Sequence, residues 1–160
     1  MSMSSSSSIG SALRCPECGT LWTESVTCDT YFHQMGVWEL ENALYEVHHL
    51  MVLSFYLQHP SRYSPQGLEG AKRLLADFLV HGITPQQVRQ RDRDKVDSGK
   101  RKFKITGTPG APGSYAGRVE RVEWTMTAAD VVNRGLEHYL ESVKAWAQSV
   151  YQALESSRNL

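Results

Sequence analysis

The chain of 160 residues carries 17 basic and 17 acidic side chains, so its formal net charge is zero. With 41% hydrophobic and 21% charged residues it has the composition of an ordinary globular protein, and its charge indicates neither a nucleic-acid nor a membrane partner. The longest apolar stretches lie within Leu50–Leu57, which is far shorter than the roughly 20 residues of a membrane-spanning helix.

The N-terminal segment MSMSSSSSIGSA, residues 1–12, is rich in serine. It lacks the basic and apolar regions of a secretory signal, so we expect a disordered tail followed by a single helical domain over residues 13–160. The cysteine count is three, an odd number. The absence of an export signal and the odd cysteine count together predict cytoplasmic localisation. In that reducing compartment clustered cysteines bind metal or do chemistry more often than they form disulfides.

The segment from Cys28 to Pro60 contains a single glycine and no internal proline, which favours helix. We expect two helices, over about residues 29–40 and 44–57, with a bend between them. The second is apolar nearly all round, so we predict a central position for it. Its main stripe, at about 100° per residue, is Leu44, Val47, His48, Met51 and Phe55.

Three further helices are predicted from their start signals. Ser64-Pro65 starts one that stops at His81-Gly82, and Thr84–Gln87 starts a short one with a capping-box pattern. Thr127–Asp130 caps a last helix that continues almost to the C-terminus. Alternating apolar residues around a glycine- and proline-rich segment predict a β-hairpin at about 102–126. The predicted fold is mainly α: a bundle of about five helices, a small β-hairpin insertion and a zinc-tethered N-terminal segment.

The sequence CPECG, residues 15–19, is typical of one half of a zinc site. A Cys-x2-Cys turn can present both sulfurs to one ion, and the glycine that follows permits the tight turn. Cys28 is the predicted third ligand. A redox pair and unligated thiols are the alternatives, but a redox Cys-x2-Cys usually opens a helix after a strand, and here the motif precedes a loop.

The fourth ligand is predicted among the histidines that follow Cys28. His48 and His59 are separated by 11 residues, about 16 Å on a continuous helix, so both cannot bind one ion. His48 lies on the apolar stripe, whereas His49 points about 100° away from it and His33 about 140° away from Cys28. We therefore expect Cys15, Cys18, Cys28 and His48 to hold zinc, with His49, His59 and His33 as alternative ligands. A core histidine bonded to a carbonyl is the structural alternative for His48.

The chain resembles a family of uncharacterised bacterial proteins known as a domain of unknown function. The resemblance rests on CPxCG, a later cysteine, Val47-His48-His49-Leu50 and Gln58-His59-Pro60, and it covers about residues 15–150. It implies that Cys15, Cys18, Cys28, His48 and His59 belong to a shared pattern, and it implies no activity.

The favoured function is therefore a zinc-binding helical protein with a structural metal and a binding or regulatory role. One alternative is a zinc-dependent hydrolase with a water at an open coordination position and Glu46 or His59 as general base. No catalytic residues are otherwise indicated. Membrane binding is not expected. The sequence identifies no partner, and it is compatible with a homo-oligomer.

A second alternative is a nucleic-acid-associated zinc protein that uses the basic run between residues 89 and 104. This run holds eight basic residues against three aspartates, but the mixed charges favour a solvated surface. The basic residues are Arg89, Arg91, Arg93, Lys95, Lys100, Arg101, Lys102 and Lys104.

Overall fold

Six α-helices make up most of residues 13–97 and 122–158, the parts of the chain that this computed structural model describes. They are α1 (Cys28–Asn42), α2 (His48–Leu57), α3 (Pro65–Leu79), α4 (Pro85–Asp97), α5 (Ala128–Arg134) and α6 (Tyr139–Arg158). Short 3-10 turns occupy Tyr45–Val47, Pro60–Arg62 and Leu136–His138. The mainly helical fold is confirmed, with about the expected number of helices.

Helix α2 is the centre of the bundle. It packs against α3 on one side and α6 on another, while α1 packs against α5. Six of its ten residues are buried, which explains why its sequence is apolar nearly all round. The buried residues are Leu50, Met51, Leu53, Ser54, Phe55 and Leu57. The predicted central position of this segment is thus confirmed.

Side-chain caps start three of the helices where the sequence predicts. The Ser64 hydroxyl accepts a hydrogen bond from the Gly67 backbone N–H at 3.0 Å at the start of α3. At the start of α4, Thr84 and Gln87 exchange reciprocal bonds of 2.8 and 3.2 Å. The Thr127 backbone N–H donates to Asp130 at 2.9 Å before α5. Each cap satisfies backbone N–H groups that have no partner within the helix.

Two predicted helices are shorter than expected because the backbone turns inside them. The predicted final helix is broken at Gly135, whose φ of +93° favours glycine, so α5 and α6 are separate elements. The predicted second helix begins only at His48, after the 3-10 turn Tyr45–Val47. Ala43 ends α1 in the left-handed conformation, with φ of +53°, close to the expected bend.

The predicted β-hairpin at about 102–126 is not supported. Residues 98–121 lie outside the described residues, and residues 122–126 form no strand. Within the described ranges the β-structure consists of an isolated bridge between Arg14 and Leu21. The serine-rich segment 1–12 also lies outside them. None of the helices in the described ranges is both long and apolar enough to cross a membrane.

Two buried polar side chains tie the N-terminal half of the bundle to the C-terminal half. Glu39, which is 2% exposed, accepts hydrogen bonds from the Tyr139 hydroxyl at 2.5 Å and from His48 Nδ1–H at 2.7 Å. Burial, and then the bond to Glu39, raise the pKa of Tyr139 well above its usual value. Gln58 donates to the Met126 carbonyl at 2.7 Å and accepts from Trp146 Nε1–H at 3.2 Å.

We predict that Tyr139→Phe lowers the free energy of unfolding by about 1–3 kcal/mol, because it leaves one buried Glu39 oxygen without its donor. Urea unfolding followed by circular dichroism measures the change. Tyr45→Phe is the matched control, since Tyr45 is exposed. Equal stability of the two variants would show that the Glu39 bond contributes nothing.

Candidate metal centre

A tight turn presents the first two cysteines. The Cys15 backbone N–H donates to the Thr20 carbonyl at 2.9 Å, and the Gly19 N–H donates to the Cys15 carbonyl at 3.0 Å. Gly19 has a φ of +83°, which a residue with a side chain adopts only at a cost. The Cys18 backbone N–H points at Cys15 Sγ, 3.4 Å away. The turn therefore brings the Cys15 and Cys18 sulfurs to the same side of the backbone, and the Cys18 N–H lies close to the Cys15 sulfur.

The third cysteine lies at the first residue of α1. The Thr27 backbone N–H donates to Thr30 Oγ1 at 3.0 Å and so caps the helix there. Cys28 Sγ lies 3.5 Å from Cys18 Sγ. The indole N–H of Trp22 donates to Cys28 Sγ at 3.2 Å. Both the helix start and the indole favour negative charge on this sulfur.

The imidazole beside the thiols is that of His59, just after the end of α2. The backbone of His59 has a φ of −130°, and Pro60 follows it, which disfavours helical conformation at residue 59. His59 Nδ1–H donates to the Phe55 carbonyl at 2.6 Å. Nε2 is buried and has no partner within the described residues. The ring is thus fixed in the tautomer that offers Nε2 to a ligand.

Together these residues form a compact Cys3His cluster that could hold a metal ion. One donor atom from each of Cys15, Cys18, Cys28 and His59 lies within 4.8 Å of the other three, and all four residues are buried. Three thiolates and one imidazole are a known ligand set of structural zinc sites. The unpartnered Nε2 and the sulfurs that face one another fit such an ion.

The electrostatics of the cluster also favour a cation. Hydrogen bonds from Cys18 and then Cys28 lower the pKa of Cys15, while the same kind of contact with Cys15 and Cys18 raises the pKa of Cys28. Burial lowers the pKa of His59, but the adjacent sulfurs of Cys15 and Cys18 outweigh burial and raise it to about 10. Three adjacent sulfurs therefore do not all ionise without a positive charge among them.

The structure brings the three predicted cysteines together with one of the alternative histidines. His48, the expected fourth ligand, lies outside the cluster, because its Nδ1 is bonded to Glu39 and its side chain is 57% exposed. The ring of His49 packs edge-on against Phe78 with 4.4 Å between centroids, and His33 is exposed on α1. The structure thus groups His59, and not His48, with the three cysteines.

The sequence did not single out the side chains that support the cluster. Thr20 Oγ1 lies 3.2 Å from Cys18 Sγ, and Trp22 bonds Cys28 as described above. No sequence pattern marks these two residues. Pro60 is the signal that would have separated His59 from the preceding helix.

Residues 13–155 match a family of unknown function, DUF5946. The chain belongs to this family. The match agrees with the resemblance drawn from the sequence, and it assigns no activity to the cluster. Neither the curated proteins nor the solved structures give a significant match.

The basic run lies away from the cysteines along the sequence, partly on α4. Arg91 pairs with Asp77 of α3 at 3.2 Å, and Arg93 donates to Gln90 at 2.6 Å. Residues 98–104 of the run lie outside the described residues. Arg91 and Arg93 thus make surface contacts of the kind expected for a solvated helix.

Glu17, inside the CPECG turn, joins the turn to two other parts of the chain. Its carboxylate accepts a hydrogen bond from the Ser61 backbone N–H at 2.9 Å, two residues after His59. Its carbonyl accepts a bond from Trp124 Nε1–H at 3.3 Å. The turn is therefore held against the segment that carries the histidine.

We predict that Glu17→Ala lowers the free energy of unfolding of the reduced protein by about 1–2 kcal/mol, because the partly buried Ser61 N–H loses its acceptor. Glu17→Gln keeps an acceptor and should lose less. Glu24→Ala, at an exposed site in the same loop, is the control. Urea unfolding measures all three, and a Glu17→Ala value equal to that of the control would contradict the prediction.

Proposed function

We propose that Cys15, Cys18, Cys28 and His59 bind one zinc ion, which fastens the N-terminal segment to the helical bundle. The observation that carries the proposal is the buried Nε2 of His59, which has no partner in the described ranges and belongs to a side chain grouped with three buried thiols. An unbonded polar atom at such a position costs about 1–3 kcal/mol, and a metal ion removes that cost.

The chain topology supports a structural role for the ion. The ligands come from three separate places: the CPECG turn, the start of α1 and the segment after α2. The 15 residues from 13 to 27 form no helix, and ordering them costs on the order of 15 kcal/mol of backbone entropy. Structural zinc contributes about 10–16 kcal/mol, which is of the same size.

The count of donors favours a structural ion over a catalytic one. Catalytic zinc keeps a coordination position for water or substrate, whereas four protein donors fill the tetrahedral shell. Two cavities lined by described residues lie elsewhere. One, of about 410 Å³, is lined around Met126 and Arg134, and the other, of about 250 Å³, around Leu44 and Tyr139. We therefore propose a binding or regulatory protein in which the zinc ion orders the N-terminal segment that contributes to its interaction surface.

We predict that purified reduced protein contains about one equivalent of zinc by elemental analysis. His59→Ala should weaken zinc binding by roughly 100-fold or more, because it removes a direct ligand, and such a loss exceeds what removal of a side chain that only hydrogen-bonds a ligand usually causes. His48→Ala is the matched control and should bind zinc as tightly as the unaltered protein. Competition with a chromogenic chelator measures both affinities.

Cobalt substitution distinguishes a structural zinc site from the site of a zinc-dependent hydrolase. A filled Cys3His shell gives tetrahedral cobalt bands that added azide does not change, whereas an open position lets azide bind and shifts them. A zinc content well below one equivalent in both unaltered protein and His48→Ala would refute the proposal. Equal weakening by the two histidine variants would refute the ligand assignment.

We further predict that chelating the metal from the reduced protein exposes the N-terminal segment before the bundle. Hydrogen exchange should accelerate by at least about 100-fold over residues 13–27, since local opening then no longer breaks metal bonds. Helices α2 and α6 should keep most of their protection, because their contacts involve no ligand. Uniform loss of protection over the whole chain would show instead that the ion stabilises the entire fold.

A further inference from the structure

Two of the proposed ligands are placed as a pair for disulfide formation. Cys18 Sγ and Cys28 Sγ lie 3.5 Å apart, so a movement of about 1.5 Å would bring them to the length of an S–S bond. The two cysteines belong to different segments, the CPECG turn and α1. All three cysteines of the chain are free thiols.

The charge of the proposed site makes its sulfurs electron-rich. Three thiolates and a neutral imidazole around Zn²⁺ carry one net negative charge. Cys28 receives the indole N–H of Trp22, and Cys15 faces the backbone N–H of Cys18. Cys18 Sγ, as a thiol, donates to the Thr20 hydroxyl at 3.2 Å, and Cys18 is the most exposed of the three cysteines at 9%. Cys18 is therefore the sulfur best placed to react with a small oxidant.

We propose that Cys18 and Cys28 form a hydroperoxide-sensitive dithiol whose oxidation releases the zinc ion. This inference rests on the zinc site proposed above. The Cys18 thiolate attacks a peroxide oxygen, the O–O bond breaks, and hydroxide leaves, which gives a sulfenic acid. The Cys28 thiolate then attacks that sulfur, the S–O bond breaks, and the disulfide forms. The two sulfurs lose two electrons, hydrogen peroxide gains them, and two protons from solvent complete two water molecules.

The disulfide changes what the N-terminal segment is attached to. Zinc keeps Cys15 and His59 as its remaining ligands, which are too few to retain the ion in competition with other ligands. The segment stays linked to α1 through the new bond, but it loses its link to His59 after α2. Before oxidation the zinc ion links the CPECG turn, α1 and the segment after α2. After oxidation only the turn and α1 stay linked.

The first experiment treats zinc-loaded, full-length protein with hydrogen peroxide and follows zinc with a chromogenic chelator. We expect about one zinc released for each disulfide formed, with Cys18 and Cys28 linked in the peptide map under non-reducing conditions. Dithiothreitol with added zinc should restore the starting state. Zinc retention under peroxide, a Cys15–Cys18 disulfide, or release accompanied only by sulfinic or sulfonic acids would each overturn the inference.

The second experiment uses variants that retain all four ligands. Trp22→Phe removes the N–H that donates to Cys28, so the attack of Cys28 on the sulfenic acid, measured as disulfide formation at saturating peroxide, should accelerate about fivefold. Trp124→Phe is the matched control, because the Trp124 indole donates to the Glu17 carbonyl and not to sulfur. Equal rates of disulfide formation for both variants at saturating peroxide would contradict the role assigned to the Cys28 sulfur.

The two proposals fail in different ways. If reduced protein binds no zinc, the proposed function fails and this inference fails with it. If the reduced protein binds zinc tightly but peroxide leaves the ion in place, the proposed structural zinc site is supported and only the redox inference is wrong.

Discussion

The crowding of three sulfurs and one imidazole nitrogen within 4.8 Å is the constraint on which the N-terminal part of the structure depends. Such a cluster is unfavourable without a cation, because neighbouring thiolates repel one another and a buried imidazole nitrogen lacks a partner. With a cation it joins the turn, α1 and the end of α2. The bundle orients the fourth residue of the cluster, because the Phe55 carbonyl of α2 accepts a hydrogen bond from the ring of His59.

Most of the helices could be predicted from the sequence, and so could three of the four residues of the Cys3His cluster. Helix starts at Ser64, Thr84 and Thr127 were predictable because capping is a local interaction between residues three positions apart. Cys15 and Cys18 were predictable for the same reason, since the spacing itself makes the turn. The central position of α2 followed from its lack of a polar face.

The histidine of the cluster could not be predicted in this way, because one continuous helix was expected to carry both His48 and His59. The structure starts α2 at His48 and ends it at Leu57, so His59 is free to turn towards the cysteines. The preference for a residue on the apolar stripe also failed, since His48 bonds a buried glutamate at the edge of the bundle. The end of α2 before Pro60 and the bond between Glu39 and His48, nine positions apart, decided these outcomes, and periodicity reports neither.

The long-range hydrogen bonds of Glu39, Gln58 and Glu17 have a consequence for folding during synthesis. They join residues separated by 100 positions for Glu39 and Tyr139, 88 for Gln58 and Trp146, and 107 for Glu17 and Trp124. A ribosome that has released only the first hundred residues has released the four residues of the cluster but none of these C-terminal partners. The cluster can therefore assemble early, but the core closes only when α6 emerges.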